Sequence, residues 1–127
     1  MRILCVDDEP LILSALRRIL GDHEVVCYDD PCAAIDHLKS VPPPQYDVIV
    51  CDVIMPHCSG VDVHGAVYRG RPELLRRMIF LTGASMPGID AFFVDSGCQR
   101  IGKPFEVDEL LDAIWSATGV DPRPAPV

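Results

Sequence analysis

No stretch of this chain approaches the roughly 18 uninterrupted apolar residues that a membrane-spanning helix needs. Met1-Arg2, followed directly by a short strand-like segment, lacks a signal-peptide layout, so no secretory leader is expected. These two absences lead to the expectation of a cytoplasmic protein with no membrane partner. Positive charge is scarce, with 11 Lys and Arg against 19 Asp and Glu and a net charge of −8. That balance argues against a nucleic-acid partner, because phosphate backbones are held mainly by clustered Lys and Arg. The basic residues that do gather, Arg69, Arg71, Arg76 and Arg77, read as a solvated helix and loop face.

Cys-x-x-Cys pairs are also lacking, although there are six cysteines, at positions 5, 27, 32, 51, 58 and 98. Four of them, Cys5, Cys27, Cys51 and Cys98, lie in or beside apolar runs, where a reduced cysteine behaves as a small core residue. His57 and Cys58 are adjacent, which is the wrong spacing for a chelating pair, so structural thiols are expected in preference to zinc. There is no internal repeat.

What is present is an ordinary globular composition, 49% hydrophobic and 24% charged, in 127 residues. That length fits one domain able to bury a continuous core without disulfides or metal. Apolar runs of four to six residues alternate with segments of helical period, the pattern of βα units on a parallel sheet. The pattern predicts strands at about 2 to 6, 24 to 28, 47 to 51, 78 to 82 and 98 to 102. It predicts helices near 10 to 20, 31 to 40, 60 to 69, 87 to 96 and 106 to 118.

Pro10 and Pro31 suit the first turn of a helix, where a missing N–H leaves nothing unpaired, and Asp30 precedes Pro31 as an N-cap. Leu11, Ala15, Leu16, Ile19 and Leu20 form one expected core stripe, and Leu110, Leu111, Ile114 and Trp115 another. Val41-Pro42-Pro43-Pro44-Gln45 cannot continue a helix and serves as a stiff connection. The domain is expected to occupy 1 to 118, and 119 to 127, with three prolines, reads as a disordered tail or the stub of a linker.

In an open parallel sheet the functional crevice lies beyond the carboxyl ends of the strands, where strand order reverses. Asp7 and Asp8 end the first predicted strand, Asp52 follows the third, Thr82 ends the fourth and Lys103 follows the fifth, so all reach one edge. Two like charges about 4 Å apart cost on the order of 4 kcal/mol at an effective dielectric near 20. Asp7, Asp8 and Asp52 therefore call for counter-charge. Lys103 supplies one, and a hard divalent ion with oxygen ligands, for which Mg²⁺ is suited, supplies the rest.

The segments Ile3-Leu4-Cys5-Val6-Asp7-Asp8-Glu9, Val48 to Pro56, Phe80-Leu81-Thr82-Gly83 and Ile101-Gly102-Lys103-Pro104-Phe105 together resemble the receiver domain of bacterial two-component response regulators. The resemblance runs from about Arg2 to Ala117 and rests on order and spacing. It implies a flavodoxin-like (βα)₅ doubly wound sheet, strand order 2-1-3-4-5. It also implies transfer of a phosphoryl group from a phosphohistidine of a sensor histidine kinase or phosphotransfer domain to Asp52, with Mg²⁺. By position, Asp8 matches the direct metal ligand, Asp7 a ligand acting largely through water, and the main-chain carbonyl of Ile54 a further metal contact. Thr82 matches the hydroxyl that bonds the phosphoryl group and Lys103 the cation that pairs with it. Pro104 matches a proline commonly joined through a cis peptide.

Three positions depart from the family pattern. Arg100 stands where a Tyr or Phe usually does, which removes the ring that follows the Thr; Arg100 is expected to face solvent, beside the site or over the last helix. Ile54 and Ala84 border the path of attacking water and offer it no polar group, which implies slow loss of the phosphoryl group. The stretches 78 to 83 and 97 to 105 look most like receivers of hybrid sensor histidine kinases, so a covalently linked kinase, or a free-standing regulator with no effector domain, is expected. Two rivals remain: a degenerate receiver used only for docking, motivated by Arg100, and a haloacid-dehalogenase-type phosphatase. The latter uses Asp-x-Asp after its first strand, whereas this chain has Asp7-Asp8-Glu9.

Overall fold

The structure, a computed structural model, describes residues 1–83 and 87–125. Five strands, β1 (Arg2–Val6), β2 (Glu24–Tyr28), β3 (Val48–Asp52), β4 (Met78–Thr82) and β5 (Gln99–Gly102), form one sheet. All neighbours are parallel, and the order is β2-β1-β3-β4-β5. The helices are α1 (Pro10–Ile19), α2 (Pro31–Leu38), α3 (Gly60–Gly70), α4 (Pro87–Ser96) and α5 (Val107–Thr118). A 3-10 helix, Pro72–Arg77, precedes β4. The sequence pattern did not predict it, because a six-residue segment has too few turns to display a period.

Successive strand residues point to opposite faces, and the two cores divide accordingly. Leu4, Val6, Ile49, Cys51, Met78 and Phe80 pack with residues of α2, α3 and α4. Ile3, Cys5, Val48, Val50, Ile79, Leu81 and Ile101 pack with residues of α1 and α5. Burial on both faces explains why β3 and β4 read as unbroken apolar runs, with every residue buried.

The predicted boundaries hold to within a residue or two, as do the markers. Pro10 and Pro31 begin their helices, and the Asp30 side chain accepts a 3.0 Å hydrogen bond from the Cys32 N–H. All six cysteines are free. Two members of the expected core stripes are corrected. Leu11 is 84% exposed and Trp115 49% exposed. On α1 the buried face is set by Leu13 and Leu16, continued by Leu20 beyond the helix end, and Leu11 lies about 200° around the axis from Leu13 at 100° per residue.

The segment after α5 is not loose. Gly119 closes the helix in the left-handed conformation at φ 75°. Pro122 is buried, and its carbonyl is 2.7 Å from Nε2 of His23. Arg123 pairs with Asp108 at 3.2 Å, Asp112 at 2.7 Å and Asp121 at 3.1 Å. The expectation of disorder is therefore corrected as far as Ala125; Pro126 and Val127 lie outside the described residues.

Candidate functional site

β1 and β3 are neighbours although their helices lie on opposite faces, so strand order reverses between them, and both end in carboxylates. Asp7 is fully buried and Asp52 is 4% exposed. Asp7 is held by the backbone: its N–H donates to the Tyr28 carbonyl at 3.1 Å, and its Oδ1 accepts from the Glu9 N–H at 2.9 Å. Asp52 Oδ1 accepts from the Ile54 N–H at 3.4 Å, which places that peptide in the site.

Lys103 reaches in from beyond β5. Its Nζ donates to Asp52 Oδ2 at 3.1 Å and to Glu9 Oε1 at 3.2 Å. It also lies 2.9 Å from Asp7 Oδ2, but off the line of a hydrogen bond, so that buried oxygen has charge nearby and no aligned donor. The Lys103–Pro104 peptide is cis. The Lys103 N–H donates to the Thr82 carbonyl at 2.8 Å, and Thr82 pairs in register with Gly102. Since Asp52 pairs with Leu81, Thr82 stands one residue further toward the crevice on the adjacent strand.

Burial pushes the Asp7 carboxyl above its ordinary range, against the Glu9 N–H and Lys103. Burial likewise raises Asp52, and the charge of Asp7 raises it further, while Lys103 opposes both. For Lys103 burial works against the charge, but its contacts with Asp7 and Asp52 prevail and hold the ammonium above the usual lysine range. One cation thus stabilises two crowded carboxylates without fully relieving them.

Oxygens of Asp7, Asp8, Glu9 and Asp52 all lie within 4.8 Å of one another. An all-oxygen acidic set that includes a buried Asp7 oxygen with no aligned hydrogen-bond donor fits a hard divalent cation. The structure thus brings the sequence-predicted residues Asp7, Asp8, Asp52, Thr82 and Lys103 to one edge, with Ile54 beside them. It adds Glu9, which sequence reasoning passed over; its position directly after the acidic pair was the available signal.

Gly60 is a second addition. A Cβ there would collide with the Asp52 carbonyl oxygen and stand 2.9 Å from the Val53 Cα, so only glycine lets α3 start this close to β3. Arg100 faces solvent but not over the last helix. Its Nη1 pairs with Asp90 at 2.7 Å and its guanidinium lies 5.0 Å from the Phe93 ring centre, so it rests on α4. Ala84 lies outside the described residues.

A buried aspartate at the end of β3, a lysine beyond β5 and an acidic cluster meet at the topological switch point of a doubly wound parallel sheet. The chain belongs to the family described as response regulator receiver domain, which it matches over residues 3–115. It is 34% identical over 115 residues to the transcriptional regulatory protein DltR of Streptococcus agalactiae, covering 90% of this chain and 50% of that protein. It is 31% identical over 118 residues to KdpE of Mycobacterium tuberculosis, covering 91% of this chain and 50% of that regulator. The chain therefore spans about half the length of these relatives.

Among solved structures, a CheY-like response regulator receiver domain protein from Methanospirillum hungatei superposes with a TM-score of 0.82 at 23% identity, over 93% of each chain. This agrees with the flavodoxin-like fold and the order 2-1-3-4-5. The expected likeness to receivers of hybrid kinases is not part of what these relatives show. Among the described residues no helix is long and apolar enough to cross a membrane.

Proposed function

We propose that Asp52 accepts a phosphoryl group from the phosphohistidine of a sensor histidine kinase or phosphotransfer domain. The observation that carries this reading is the approach of Lys103 to both Asp52 and Asp7 at the carboxyl edge of the sheet. A carboxylate oxygen of Asp52 attacks phosphorus, the P–N bond to the donor imidazole breaks with its electron pair going to nitrogen, and an acyl phosphate forms. Lys103 pairs with a phosphoryl oxygen, replacing in part the contact it makes with Asp52 beforehand. The Thr82 hydroxyl donates to another.

Asp8, Asp7, Asp52 and the main-chain carbonyl of Ile54 would hold Mg²⁺, with Glu9 at the rim. When bound, that ion supplies positive charge to the crowded carboxylates and to the phosphoryl oxygens. The chain's own residues fix the nucleophile: the β3 ladder and Gly60 hold the Asp52 backbone, and Asp7 and Lys103 hold the carboxylate. Its output is a change in protein contacts, and the domain works within residues 1 to 118 in the cytoplasm.

The deciding experiment is mass spectrometry after incubation with acetyl phosphate and Mg²⁺. One added phosphoryl group is expected, absent from Asp52→Asn and absent in EDTA. Undiminished labelling of Asp52→Asn would assign the acceptor elsewhere.

A further inference from the structure

Four basic residues that take no part in the phosphoryl site come together at the opposite end of the sheet. The amino-terminal ends of β1, β3 and β4 are one strand length from the carboxylates, about 16 Å for five residues. There a cleft of about 550 Å³ is lined by Arg2, Arg71, Arg76 and Arg77, with Asp47, Glu73 and Leu74 among its other walls. Arg69, which neighbours these residues in sequence, is not part of it. Four guanidiniums against two carboxylates give the lining a net charge of +2, on a chain whose net charge is −8.

The arginines are of two kinds. Arg71 is held in place: its Nε and Nη2 donate to the Pro43 carbonyl at 3.1 and 2.8 Å, and Nε also to Pro44 at 3.1 Å. Arg2 likewise donates to the Gln45 carbonyl at 3.0 Å and lies over the Tyr46 ring at 4.7 Å. The carbonyl contacts satisfy N–H groups without cancelling charge, while Arg2 is also paired through Nε with Glu24 at 3.4 Å, which offsets part of its charge. Asp47 is occupied by the Arg2 backbone N–H at 2.7 Å, and Glu73 stands 3.8 Å from Arg71. Arg76 and Arg77, adjacent on the 3-10 helix, have no side-chain hydrogen bond or ion pair among the described residues.

We propose that the cleft formed by Arg2, Arg71, Arg76 and Arg77 binds a small anion bearing two or more phosphate groups. Guanidinium forks match phosphate oxygens two at a time, and two unpaired forks lining one cleft suit a ligand with more than one phosphate. The volume lies in the ordinary range for small-molecule sites, about 300–1,000 Å³, and exceeds what a lone phosphate fills. Leu74, buried in the wall, offers apolar contact to the remainder of such a ligand. A cleft focuses the local field, so a small anion can be held where the chain's overall negative charge disfavours a nucleic acid.

Calorimetric titration of the whole chain with pyrophosphate and with ATP tests this, in EDTA so that the acidic edge takes up no divalent ion. Both probes should bind saturably at one to one, and Asp52→Asn should bind them equally. Arg76→Ala with Arg77→Ala should weaken binding by about tenfold or more through loss of charge-assisted contacts. In the unmodified protein, amide shifts should move at Arg2, Asp47 and residues 73–77. Absence of saturable heat at millimolar probe, unchanged affinity in the double variant, shifts confined to the carboxylate edge, or loss of binding in Asp52→Asn would overturn the proposal.

Discussion

The ammonium of Lys103 lies 3.1 Å from Oδ2 of Asp52, across 51 residues of chain. Removing it leaves Asp7, Asp52 and Glu9 without their shared cation. Breaking a buried pair from one side is more costly than a surface pair, so Lys103→Ala should lose about 2–4 kcal/mol in urea unfolding in EDTA. Millimolar Mg²⁺ should restore part of that loss, and should raise the melting temperature of the unmodified protein, by binding the native carboxylates. Asp8→Asn should lose most of the Mg²⁺ gain. Melting curves insensitive to Mg²⁺ would count against the metal reading.

Histidines predict a pH dependence away from the site. His37, stacked on Tyr28 and hydrogen-bonded through Nε2 to the Tyr46 hydroxyl, is lowered by burial and then by Arg2. His64, edge-on to Phe92, is lowered by burial. A depressed histidine contributes stability that is fully present above the unfolded pKa, about 6.5, and is lost as pH falls through the folded value. The histidine contribution should therefore decline from pH 7.5 toward pH 5, against the opposite contribution of the raised Asp7 and Asp52, so His37→Gln with His64→Gln should lose less stability than the unmodified protein over that range. An equal slope in the variant would remove these two groups as its source.

Gly60 supports Asp52 directly. In Gly60→Ala the added carbon meets backbone, which cannot rotate away as a side chain can. A cost of about 2–3 kcal/mol is expected from overpacking, together with slower labelling by acetyl phosphate because the β3 end is displaced. Normal stability with normal labelling would show that α3 shifts freely.

Ile54, 48% exposed at the rim, presents no hydrogen-bonding side chain to water. Ile54→Asn should shorten the phosphoryl lifetime several-fold while leaving labelling and melting temperature unchanged. Identical decay of the two proteins, followed by loss of label, would clear this side chain of any role.

Arg100 holds α4 through Asp90 and Phe93, in partly solvated contacts. Exposed ion pairs contribute little, so Arg100→Ala should cost less than about 1 kcal/mol and leave phosphorylation intact. The chemical-shift response to beryllofluoride should show no inward movement of Arg100, since burial of an unpaired guanidinium is unfavourable. A large response at Arg100 would contradict this.

The sequence by itself determined the strands, the helices and the order in which acids, threonine and lysine meet the sheet edge. Those follow from local causes: apolar runs as in Val48-Ile49-Val50-Cys51, first-turn prolines at 10 and 31, and a capping aspartate at 30 act within a few residues. The meeting of Asp52 and Lys103 was legible because a parallel βα chain must bring strand ends to one edge. Other features depended on which element lies beside which, and no local pattern encodes that. Leu11 and Trp115 have helical spacing but face outward, Arg100 finds Asp90 on α4, Glu9 joins Lys103, and Arg123 fixes a segment that composition alone read as loose. The basic cleft belongs here as well: Arg2 starts β1, Arg71 through Arg77 precede β4, and only the interposed β3 sets them around one cavity. Long-range pairing of this kind is decided by burial of both sheet faces at once, a property of the assembled layers rather than of any segment.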